Sequence, residues 1–314
     1  MDLGKQPRSP ERGHDAANAV GERLARGPAL RLDGAIGTEL EKRGHPAGLP
    51  LWSTHALLDA PESLVEIHAE YARAGAEILT ANTFRTQRRT LERGAAKGPG
   101  LAHRDAELTA LAVDLARQGA RASARRCWIA GSAPPLEDCY RPDLVPEPEA
   151  LLREHARHME NLAEAGVDLV LIETMNSLGE AVVACRAARE CGLPALVSFV
   201  SWRPGEILSG ESLARAADQI QAEAPLAVLV NCLPPSAVDR CLPVLAAAGL
   251  PFGAYANLGE PHADGGFTPS EEYDPGRWAD HAKRWLDGGA RLVGGCCGTG
   301  PGHIRAMGEA LAGE

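Results

Sequence analysis

Eight short apolar runs punctuate the chain, and each interval between them leaves room for a helix. The runs are ALRLD (29–33), EILTAN (77–82), CWIAGS (127–132), DLVLIE (168–173), ALVSFV (195–200), AVLVNC (227–232), FGAYAN (252–257) and RLVGGC (291–296). Continuous apolar runs of this length suit strands buried on both faces, as in a parallel sheet covered by helices. Between them apolar residues recur with the helical period, as in LVEIHAEYARAG (64–75), RDAELTALAVDLARQG (104–119) and PEALLREHARHMENLAEAG (148–166), with glycine at the helix stop. A last helix is expected over HIRAMGEALAG (303–313).

Strand and helix thus alternate eight times, which predicts an α/β fold, a single-domain (β/α)8 TIM barrel; such barrels need about 250 residues. An open doubly wound sheet is the competing architecture. It is disfavoured because the first run leads into DGAIGTEL (33–40), which lacks the G-x-G-x-x-G spacing of a dinucleotide-binding turn. No Pro- or Ser-rich linker divides the chain. The expected organisation is a polar, mobile N-terminal extension over 1–27 and a barrel over 28–314.

Composition changes this picture little, but charge narrows the partners. Of the 314 residues 45% are hydrophobic and 24% charged, as in globular domains, while aromatics are only 4%, so Val, Leu, Ile and Ala must build the core. The net charge of −10 argues against nucleic acid and admits small zwitterionic or cationic substrates. No run of 18 apolar residues and no apolar stretch in the first 26 residues suggests a membrane segment or leader, so a cytoplasmic protein is expected. Association with further copies of itself is compatible with this sequence. Eight cysteines are too sparse for a disulfide scaffold.

In such barrels chemistry gathers at the C-terminal ends of the strands. Here those ends carry Asp33, Asn82 with Thr83, Ser132, Glu173 with Thr174, Ser198, Cys232, Asn257, and Cys296 with Cys297. Two readings of the cysteines stand. Cys232 is a buried thiol and the adjacent pair fills a turn, or the three thiolates face one zinc ion with a tetrahedral position left open. Three thiolates leave zinc with net charge −1, poorly suited to activating water but suited to holding a substrate thiol as thiolate, which favours alkyl transfer to sulfur. The other five cysteines read as small buried or half-buried thiols. Asp33 and Glu173 suit an α-ammonium, and the backbone N–H groups of the DGAIGTE turn its carboxylate; a helix cap for Asp33 and a rim ion pair for Glu173 are the plainer roles.

Read together, VGGCCGTGPGHI (293–304), LDGAIGTEL (32–40), TANTF (80–84), LIETM (171–175), VNC (230–232) and YANLGE (255–260) resemble the homocysteine S-methyltransferases, in family order and over residues 28–310. The resemblance implies a barrel enzyme in which Cys232, Cys296 and Cys297 hold Zn2+. Asp33, Gly34 and Glu173 then bind the amino acid, with Asn82 and Thr83 beside it and Asn257 as candidate for the open zinc position. The implied reaction moves a methyl group from a small donor to homocysteine, giving methionine. A site of net charge −2 with the substrate thiolate in place favours a cationic donor, S-methylmethionine first and S-adenosylmethionine second. Betaine, whose carboxylate wants a basic partner such as Arg85 or Arg203, is the competing donor. The resemblance is also compatible with a subunit that serves a separate corrinoid protein and with a non-catalytic zinc barrel. CCGTGPGHI and TANTF are closer to the methionine synthase module and NLGE to the S-methylmethionine enzymes. The residues outside the barrel leave no room for a cobalamin or folate domain.

Overall fold

The computed structural model describes residues 10–45, 47–94, 100–203, 205–261, 267–270 and 274–312. Eight parallel strands form a barrel: β1 (Leu30–Arg31), β2 (Ile78–Ala81), β3 (Trp128–Ala133), β4 (Leu169–Met175), β5 (Ala195–Phe199), β6 (Ala227–Asn231), β7 (Phe252–Ala256) and β8 (Leu292–Gly295). From β2 to β8 each strand pairs with the next, β8 pairs with β1, and the parallel bridge Leu32↔Ile78 closes β1 onto β2. That closure excludes the open sheet. All eight expected runs lie on barrel strands.

Alternation along each strand sorts side chains into two cores. Leu30, Leu32, Ile78, Leu169, Leu171, Leu196, Leu229 and Leu292 point inward and fill the barrel. Val170, Ile172, Val197, Val228, Val230 and Val293 point outward beneath the helices. The helices take their limits from local chemistry. Pro61–Ala74 and Pro148–Ala165 each begin with proline, whose fixed φ suits a first helical turn, and stop at Gly75 and Gly166 in the left-handed region. A short antiparallel hairpin, Gly259–Pro261 with Phe267–Pro269, follows β7 and had no counterpart in the hydrophobic pattern.

The N-terminal segment differs from expectation. Its described part is a helix, Pro10–Arg26, rather than a mobile polar extension. Ala16, Val20 and Leu24 recur every four residues and are buried, and Val20 and Leu24 join the interior cluster of the barrel. Polar ties reinforce the plug: Arg23 Nη2 donates to Glu77 Oε1 at 2.8 Å, and Arg291 Nε to the Leu24 carbonyl at 2.8 Å. The helix therefore seals the end of the barrel opposite the strand C-termini. Leu24→Ala should lower unfolding free energy by about 2–4 kcal/mol through lost burial and a residual cavity, measured by urea titration. A loss under about 0.5 kcal/mol would show that the helix is not part of the cooperative core.

Candidate active site

At the strand C-termini lies a cavity of about 160 Å³ whose wall includes Asp33, Gly34, Asn82, Glu173, Cys232, Cys296 and Cys297. Cys232 follows directly on β6 and Cys296 on β8, with β7 between them. The segment around the end of β7 stitches the two together. The Asn257 N–H donates to the Leu233 carbonyl and the Leu258 N–H to the Cys297 carbonyl, both at 2.9 Å, while the Cys296 N–H donates to the Ala256 carbonyl at 2.8 Å. All three sulfurs consequently lie within 4.8 Å of one another, Cys232 and Cys296 at 3.1 Å, as free thiols. Three soft donors converging on an open cavity fit a thiophilic cation with one coordination position left for a ligand.

The backbone is specialised to aim these sulfurs. Cys232 has φ +56°, a left-handed conformation that costs a non-glycine residue about 1 kcal/mol, and Thr174 opposite has φ +60°. Asn231 secures both. Its Oδ1 accepts from Ser198 Oγ at 2.7 Å and from the Thr174 N–H at 3.1 Å, and its Nδ2 donates to Thr174 Oγ1 at 2.8 Å and to Cys232 Sγ at 3.5 Å. On the other side Thr299 folds back on the Cys296 carbonyl, with its N–H at 3.1 Å and Oγ1 at 2.6 Å. This tight turn needs glycine before it, because a Cβ on Gly295 would stand 2.1 Å from Thr299 Oγ1.

Without a cation the thiols cannot all ionise. Hydrogen bonds from Cys296 and Cys297, then Tyr140 and Thr174, hold Cys232 well below the usual thiol range. Cys296 and Cys297 are held well above it, chiefly by their place beside Cys232. The carboxylates show the complementary problem. Asp33 is buried and pushed up to about 7 by desolvation, although the Thr80 N–H donates to Oδ2 at 2.7 Å and Thr80 Oγ1 to Oδ1 at 2.9 Å. Glu173 is raised to about 8, again mainly by burial, with Ser132 Oγ and, at 3.4 Å, the Tyr255 hydroxyl donating to it.

The remaining expected residues divide. Gly34 lines the cavity where Tyr71 and Thr299 leave no space for a Cβ, whose nearest atoms would be 2.8 and 2.9 Å away. Asn82 reaches the wall, but its amide is tied to Ser53, accepting from Oγ at 2.5 Å and donating to the carbonyl at 2.8 Å. Thr83 is not brought to the cavity wall. It is fully buried, its Oγ1 donating to the Ser132 carbonyl and accepting from the Ser132 N–H, so it joins the ends of β2 and β3. Asn257 is likewise buried off the wall, with neither amide atom partnered among the described residues.

Sequence reasoning missed Trp52, Phe84, Cys139, Tyr140 and Tyr255 on the wall. Of these only Tyr255, in the inward register of β7, carried a periodic signal. Tyr140 stacks on Trp202 from the loop after β5, with ring centroids 5.2 Å apart. Arg203 beside it is exposed and absent from the wall, whereas Arg85 lines it.

A barrel whose mouth gathers three thiols and two buried carboxyls in one cavity at the strand C-termini has the layout of an enzyme active site. The family model for homocysteine S-methyltransferase matches residues 30–311, and the chain belongs to that family. Among its relatives, the homocysteine S-methyltransferase of Escherichia coli K12 is 33% identical, with 88% of this chain and 94% of that protein aligned. Homocysteine S-methyltransferase 3 of Zea mays is 30% identical, with 91% of each aligned. The crystal structure of the Escherichia coli homocysteine methyltransferase MmuM in its metallated form superposes with a TM-score of 0.77 at 29% identity, covering 90% of this chain and 96% of that one. The chain is accordingly a methyltransferase barrel.

Asn231 offers a direct test of how the thiol cluster is held. Asn231→Ala removes the donor to Cys232 Sγ and should weaken metal affinity by about 10- to 100-fold, measured by chelator competition, with near-native circular dichroism. Unchanged affinity would mean that the strand ends alone position Cys232.

Proposed function

We propose that this enzyme transfers a methyl group from a small sulfonium donor, S-methylmethionine foremost, to the thiol of homocysteine, forming methionine, with Zn2+ held by Cys232, Cys296 and Cys297. The observation that carries this reading is the convergence of three thiols beside two buried carboxyls in one cavity. Zinc bound there supplies the positive charge that keeps a fourth thiol ionised at neutral pH while leaving its sulfur lone pairs nucleophilic.

The chain does the rest by placement. Asp33 and Glu173 take the α-ammonium of homocysteine; Thr80 and Ser132 orient their oxygens, and the ammonium restores both to the charged form. Gly34 lets the substrate approach the backbone. The apolar and aromatic wall excludes water, which favours a reaction in which opposite charges cancel. The thiol proton leaves to solvent on binding. In the transfer, the substrate sulfur forms a bond to the methyl carbon as the donor S–CH3 bond breaks, and that electron pair stays on the donor sulfur, leaving a neutral thioether. No general base is required, so the carboxylates act in binding. The net charge of −10 further favours a cationic donor over an anionic one.

Replacing Cys232, Cys296 or Cys297 by Ser should abolish methionine formation and remove zinc together, read by elemental analysis and turnover with S-methylmethionine; full zinc occupancy in the triple variant would refute the ligand set. Asp33→Asn or Glu173→Gln should weaken homocysteine binding by about 1.5–3 kcal/mol each, the worth of a charge-assisted hydrogen bond, with zinc content retained. An amine-free thiol should lose far less in these variants, and equal losses would contradict the assigned role. Because an ammonium pairs with ionised carboxylates, and burial raises these two to about 7 and about 8, affinity for methionine should rise about tenfold or more between pH 6 and 8. By linkage, binding at pH 6.5 should release protons in calorimetry. A flat profile would place the ammonium elsewhere.

A further inference from the structure

One strongly basic group on the cavity wall has no part in the methyl transfer itself. Arg85 stands on the segment leaving β2 and is only 8% exposed. Among the described residues it enters no ion pair. Its one hydrogen bond among the described residues runs from Nη1 to the Glu137 carbonyl at 3.3 Å and its Nε has no partner there, while its Cζ lies 5.1 Å from the centroid of the Phe84 ring. Of the acidic side chains nearby, Glu137 is engaged by two other arginines, and Asp138, also on the wall, forms no ion pair with Arg85 among the described residues. Glu137 is bound by Arg89 at 2.9 Å and Arg93 at 2.5 Å, and Asp138 Oδ1 accepts the Tyr140 N–H at 2.9 Å. A guanidinium withdrawn from water without an anion is strongly penalised, so an enclosed, unpaired arginine facing a ligand cavity calls for an anionic group on the ligand.

We propose that Arg85 is the carboxylate subsite for the methyl donor, so that the enzyme selects onium donors that carry a carboxylate. The assignment rests on the proposed placement of homocysteine. The ammonium and carboxylate of homocysteine share one carbon, so both lie low in the barrel, where Asp33 follows β1 and Glu173 and Ser132 are within β4 and β3. Arg85 stands higher, four residues past the end of β2 and bonded to Glu137, four residues past the end of β3. It occupies the layer of exit loops above the acceptor, with Phe84 and Tyr140, where a second molecule must enter. Arg203, the other basic candidate, is exposed and off the wall, so Arg85 alone of the two can serve. An anchor for a carboxylate also removes the objection to betaine raised by its charge. The selected class is therefore carboxylated oniums, whether the leaving atom is sulfur or nitrogen.

The test compares two pairs on the zinc enzyme, each differing by a carboxylate: S-methylmethionine against (3-aminopropyl)dimethylsulfonium, and betaine against tetramethylammonium. In the wild type the carboxylated member of the pair used should have the higher kcat/KM. In Arg85→Gln that preference should collapse by about 10- to 100-fold through the donor KM, with Arg85→Lys intermediate and the homocysteine KM moving least. An unchanged preference ratio in a folded, zinc-replete Arg85→Gln protein overturns the inference, as does an effect confined to the homocysteine KM. Use of betaine alone would overturn the sulfonium donor while its own pair still tests Arg85. Failure of both carboxylated donors in an enzyme that binds homocysteine would overturn both readings.

Discussion

Three sulfurs held within 4.8 Å of one another impose the constraint on which the site is built. Thiolates so close repel, and hydrogen bonds within the cluster hold Cys232 down while Cys296 and Cys297 are held up beside it. The fold maintains that proximity against its cost. The left-handed backbone at Cys232, the four hydrogen bonds of Asn231 and the glycine-dependent turn of Gly295–Thr299 all serve to aim sulfur atoms across β7. Such strain persists only where surrounding structure over-determines it, and two of the residues that carry it, Cys232 and Thr174, stand at the cluster.

The same logic runs through the opposite wall. Burial raises Asp33 to about 7 and Glu173 to about 8, so a cation placed beside them would favour their charged forms. Arg85 is the converse, an enclosed cation that forms no ion pair among the described residues. The cavity thus gathers thiols, buried carboxyls and an enclosed guanidinium in one place. Low dielectric magnifies the electrostatic effect of each such group.

Much of the fold was legible because parallel strands covered on both faces read as uninterrupted apolar runs, and all eight fell where the barrel has strands. The Pro10–Arg26 helix was not, since Ala16, Val20 and Leu24 form a narrow stripe among charged residues that resembles a solvated segment. That the three cysteines, Asp33 and Glu173 converge on one cavity was legible from their place at strand ends. Position at a strand end does not give direction, however. Thr83 turns away to bridge β2 and β3, and Asn257 is enclosed behind the rim. Arg85, Cys139 and Tyr140 lie on irregular segments without periodicity, so only the folded chain reveals which of them face the cavity.

The central claim is that Cys232, Cys296 and Cys297 form an open trithiolate zinc centre whose remaining position is taken by the thiol of homocysteine. X-ray absorption at the zinc edge counts sulfur ligands directly. The account predicts three sulfurs and one lighter ligand in the zinc-loaded protein, becoming four sulfurs when homocysteine is added. A count that stays at three with homocysteine bound, or one below three in the resting protein, would contradict it.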